Sequence, residues 1–66
     1  MNQRMLEQCA IRLAEIAKSI DPRDRGAVRT LYNTAHEAND IAKKIEDDAL
    51  EMATLCIARY IEGVGA

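Results

Sequence analysis

Along the first third of the chain, apolar side chains recur at Leu6, Cys9, Leu13, Ile16 and Ile20, in alternating steps of three and four residues. That period keeps them on one face of a helix, with Arg4, Glu7, Arg12, Glu15 and Lys18 falling elsewhere on its circumference. The pattern predicts a first helix over about residues 2–20 and a turn over residues 20–22. It stops at Ser19-Ile20-Asp21-Pro22, because the residue before a proline is driven out of the α region. Asp21 is then placed to cap the next helix with Pro22 at its first position, and Asp24 adds a carboxylate to the first turn.

A second stripe runs through Val28, Leu31, Ala35, Ala38, Ala42 or Ile41, Ile45, Ala49 and Met52 at the same spacing. Taken literally it is one helix over about residues 22–62, roughly 60 Å long against roughly 28 Å for the first at 1.5 Å per residue. The alternative is a break near residues 46–48, with Asp48 capping a third helix and Glu51 three residues on. Either way the C-terminal segment leaves almost no polar face, since Ala49, Leu50, Met52, Ala53, Leu55, Cys56, Ile57, Ala58, Tyr60 and Ile61 cover its circumference. A helix apolar all round is covered on several sides, so Ala49, Met52, Leu55, Cys56, Ile57 and Ile61 are expected at an interface with another subunit. Ala35, Ala38, Ala42 and Ala49 leave room for close helix approach, and Gly63-Val64-Gly65-Ala66 marks the end of the helix.

Composition agrees with this pattern. The 66 residues are 48% hydrophobic, lack Phe and Trp, and are dominated by residues that lose little in a helix. The expected fold is all-α, a helical hairpin in a single domain over residues 1–66. A chain this short buries only about 60% of its unfolded surface, so association into a homo-oligomeric helical bundle is the natural supplement to its core. A net charge of −2 argues against nucleic acid gripped by bulk charge. Cys9 and Cys56 lie within apolar helical patterns and read as buried free thiols in a reducing compartment. The opening Met1-Asn2-Gln3-Arg4 lacks the apolar core of a signal peptide, and no stretch approaches the ~18 uncharged residues of a membrane span. A cytoplasmic protein without membrane contact is expected.

Candidate chemistry is sparse. His36 and Asp40, four residues apart, have the spacing of two metal ligands but equally that of a solvated helix pair, and no metal is expected. Glu46, Asp47, Asp48 and Glu51 read as a solvated acidic face, without the enclosure that acid–base chemistry needs. With no Ser-His-Asp set, no Cys-His pair and no phosphate-cradling glycine loop, neither enzymatic activity nor a cofactor is expected.

The group that exceeds a generic surface is Arg23, Arg25 and Arg29 with Tyr32 at the start of the second helix, where free backbone N–H groups and the helix dipole already favour anions. Arg25, Arg29 and Tyr32 share a face; arginine grips phosphate in bidentate fashion and tyrosine offers a surface for a base. The plainer reading pairs these arginines with Asp21, Asp24 or the acidic cluster of a neighbouring chain. If two unbroken helices pack antiparallel about Lys43, Arg25 and Arg29 of one chain face Ile61 and Ile57 of the other, near Arg59 and Tyr60. Each end of that dimer then holds a composite site of Arg25, Arg29, Tyr32, Arg59 and Tyr60.

Two local likenesses follow. The run Asp21-Pro22-Arg23-Asp24-Arg25 with His36-Glu37-Ala38 and Lys43-Lys44 resembles the turn and second helix of small phage anti-CBASS proteins, over about half the chain, without a tryptophan near Ile41. That resemblance implies a non-enzymatic oligomeric sponge for signalling nucleotides. Cys56-Ile57-Ala58-Arg59-Tyr60 is similar to the end of the plasmid copy-control helical hairpin that binds paired RNA loops. The expected function is therefore capture of a phosphate-bearing small ligand such as a nucleotide at an inter-subunit Arg/Tyr site. The alternative is an adaptor, inhibitor or chaperone that holds a protein partner through the apolar C-terminal helix.

Overall fold

The computed structural model describes residues 3–65, which form three helices: α1 (Gln3–Ser19), α2 (Arg25–Lys44) and α3 (Asp48–Val64). The expected start of the first helix at Asn2 and the terminal Ala66 lie outside the described residues. No strand occurs among the described residues. The helices run up, down and up in a bundle of 34 × 16 × 15 Å, each in contact with the other two.

The single helix over residues 22–62 does not form. The break falls at Ile45-Glu46-Asp47, where Glu46 adopts a left-handed backbone with φ 56°. The Glu46 N–H donates to the Lys43 carbonyl at 3.2 Å and the Asp47 N–H to the Ala42 carbonyl at 3.0 Å. This is the paired ending known as a Schellman motif, and it satisfies carbonyls that a terminating helix leaves free. Asp47, one residue earlier than the expected Asp48, caps α3 by accepting from the Leu50 N–H at 3.0 Å. Helix α2 likewise starts later than expected. Asp21 closes a turn by accepting from the Arg23 and Asp24 N–H groups, and Asp24 instead of Asp21 caps the helix through the Ala27 N–H at 3.1 Å. Pro22 thus sits in the turn ahead of the helix.

The core interleaves alanines with Leu, Ile and Val side chains. Val28, Leu31, Ala35, Ala38 and Ala42 of α2 are buried as their spacing predicts. On α1 the inward row is Leu6, Ala10, Leu13 and Ala17, whereas Cys9 and Ile16 are exposed and Ile20 is half-buried. The expected face was displaced because α1 packs against two helices at once, and alanines let it approach both closely while the larger Cys9 and Ile16 are pushed to the flank. Cys56 is exposed as well, so both cysteines are free thiols at the surface and not buried ones. From α3 the core receives Leu50, Ile57, Ala58 and Ile61.

One polar link crosses this interior. Asn39 Nδ2 donates to the Glu51 carbonyl at 2.9 Å and to Thr54 Oγ1 at 3.1 Å, and the Thr54 hydroxyl lies 2.9 Å from the Leu50 carbonyl. Because each of these groups is partnered, the link fixes the register of α2 against α3 without leaving an orphaned polar atom along it.

Candidate functional site

The first three turns of α2 present Arg25, Gly26, Val28, Arg29, Tyr32 and Asn33 around an open groove of about 450 Å³. Three of the five residues expected to hold a ligand are thus brought together. Arg59 and Tyr60 are exposed on α3 and do not line this groove, so the composite arrangement is not made within one chain.

Most of the group is already engaged. Arg25 Nη2 donates to the Gly65 carbonyl at the end of α3, where a cation complements the negative end of the helix dipole. Gly65 has φ 120°, and a Cβ there would approach the Arg25 guanidinium to 3.1 Å, so glycine serves both the backbone and this contact. The Tyr32 hydroxyl donates to Glu62 Oε1 at 3.0 Å, and this bond, with some desolvation and the nearby negative charge, raises the Tyr32 pKa above its ordinary 10.0. The Tyr32 ring meets His36 edge-on at 4.5 Å, and His36 Nε2 is buried without a hydrogen-bond partner among the described residues. The Asp24 carboxylate and carbonyl occupy the Ala27 and Val28 N–H groups, which places a negative charge where a bound anion would sit. The Arg29 side chain, like those of Arg23 and Asn33, makes no hydrogen bond or ion pair among the described residues.

The residues expected at an interface divide between two sides of α3. Ile57 and Ile61, at 8% and 0% exposure, lie in the chain's own core, and Leu55 is half-buried. The break explains this, since it folds α3 back along α2 and covers within one molecule the apolar side that an unbroken helix would have offered to another. Ala49, Met52 and Cys56 are exposed, and Ala53 and Tyr60 continue the same row at steps of three and four residues. Met52 is 61% exposed and Tyr60 49%. Beside the row, Ile11 of α1 lines a shallow groove with Ala49 and Ala53, at 54% exposure. Sequence periodicity missed Ile11, which lies off the α1 stripe, and counted Ala53 with the apolar circumference of the C-terminal helix without placing it at the interface.

Among the described residues, no group of three or more His, Cys, Asp or Glu is placed to hold a metal ion, and no helix is long and apolar enough to cross a membrane. Compared with protein-family models, with curated proteins and with solved structures, the chain finds no match.

Proposed function

We propose that this chain is a non-enzymatic helical binding protein whose working surface is the outer side of α3. The observation that carries this reading is that α3 is apolar beyond its core side: Leu50, Ile57 and Ile61 are spent on the chain's own core, while Ala49, Met52, Ala53, Cys56 and Tyr60, on the adjoining flank, are exposed. Folding alone requires only the first set. A contiguous second row, extended by Ile11, is what a helix carries when it docks on protein. The test compares tagged wild type with a Met52→Glu/Tyr60→Glu double variant expressed in the same cells. Wild type should retain a stoichiometric polypeptide, its own untagged copy included, that the equally helical variant loses. Identical retention by both would overturn the reading.

A second reading, capture of a phosphate-bearing ligand, keeps support from the unengaged Arg29 beside the Arg25–Tyr32 groove. Titration with pyrophosphate and nucleotides should then show binding that Arg29→Ala removes; heats indistinguishable from dilution would dismiss it. The interaction reading is preferred because Arg25, Tyr32 and the start of α2 already have partners within the chain.

A further inference from the structure

We infer that the outer row of α3 is complementary to itself reversed, so that its occupant is a second copy of this chain lying antiparallel; the inference rests on reading that row as the binding surface. Ala49, Ala53, Cys56 and Tyr60 follow one another at steps of four, three and four, the spacing of a two-helix seam. The two small side chains lie in the N-terminal half of the row and the bulky ring at its C-terminal end. In an antiparallel pair with Ala53 opposite Cys56 of the second copy, each Tyr60 ring lies over the other chain's Ala49. A parallel pair would set ring against ring at one end and leave Ala49 facing Ala49 across a gap at the other.

Charge selects the same orientation. Asp48, Met52 and Arg59 share the flank of this row, Asp48 and Arg59 are exposed, and neither makes an ion pair among the described residues. Reversing the second copy carries its Arg59 across Met52 toward Asp48, and the two-fold axis makes the pair twice. Parallel packing would place these two flanks on opposite sides of the seam, where Asp48 and Arg59 gain no partner from the second copy, and antiparallel packing also aligns the helix dipoles favourably. Ile11, next to Ala49 and Ala53, widens the contact onto α1. A surface of one helix row plus Ile11 falls short of the ~800 Å² per partner of a standard interface. The dimer is therefore a concentration-dependent one.

Sedimentation equilibrium from low micromolar to millimolar chain should show wild type passing from monomer to dimer. Tyr60→Glu, at an exposed position and with helicity checked by circular dichroism, should weaken association by roughly thirtyfold, the effect of losing an aromatic anchor. Asp48→Arg alone should weaken it, and adding Arg59→Glu should restore it. Orientation is read by oxidising an Ala53→Cys variant in a Cys9→Ser background, where mapping should join position 53 to Cys56 of the second copy. Bonds joining 53 to 53 and 56 to 56 would overturn the antiparallel arrangement. A wild type that stays monomeric throughout would overturn the second copy as occupant. The surface reading fails separately, when the Met52→Glu/Tyr60→Glu variant retains the same polypeptides as wild type.

Discussion

Tyr32 shows how a residue chosen by sequence for its ligand chemistry is used by the fold for another purpose. Its hydroxyl ties α2 to the last turn of α3 through Glu62, with its ring against His36. Losing the phenolic proton would break the hydrogen bond to Glu62 and set a negative oxygen beside its carboxylate, which is why the pKa is raised. The folded chain then keeps this proton at a pH where the unfolded chain has released it. The resulting stability is fully present below pH 10.0 and is lost as pH rises through the Tyr32 titration. In a Tyr60→Phe background, ultraviolet titration should show Tyr32 ionising above pH 10.0, and Glu62→Ala should lower the midpoint. An unchanged midpoint would mean that the Glu62 contact is not made in solution. Arg25 follows the same logic, since its spacing to Arg29 and Tyr32 was legible, but its use at the Gly65 carbonyl depends on residues forty positions away.

At the scale of the element, the decisive feature is the ending of α2. Glu46 holds a left-handed backbone that costs an L residue about 1 kcal/mol and glycine almost nothing. Glu46→Gly should therefore stabilise the protein by about 1 kcal/mol and raise Tm by roughly 4–8 °C in thermal unfolding followed by circular dichroism. On an unbroken helix the same change would destabilise by about 1 kcal/mol, so the sign of the shift distinguishes the two arrangements. The sequence offered the break only as an alternative, because the apolar stripe continues through Ile45, Ala49 and Met52 without a Pro or Gly to interrupt it. What ends the helix is a glutamate in a glycine's place followed by the Asp47 cap, held by the return of α3 and by the Asn39–Thr54 link. None of these is a local helix-stop signal.

For the whole molecule, the two sides of α3 should behave differently. Ile61→Ala removes a fully buried side chain and should cost about 2–5 kcal/mol, whereas Met52→Ala on the outer row should change stability by less than ~0.5 kcal/mol. Denaturant titrations of dilute chain would reveal both, and equal costs would mean that the outer row is also core. The amino-acid sequence alone sets the all-helical class, the first turn at Pro22, the buried face of α2 and the shared face of Arg25, Arg29 and Tyr32, because each depends on near neighbours and on the helical period. It did not determine which face of α1 turns inward, since Leu6 and Leu13 belong equally to the Cys9–Ile16 stripe and to the Ala10–Ala17 one. Nor did it say which apolar side of α3 is spent on folding. Those choices belong to the tertiary structure: only when α3 doubles back on α2, with α1 laid against both, does packing decide which side chains are enclosed and which remain outside.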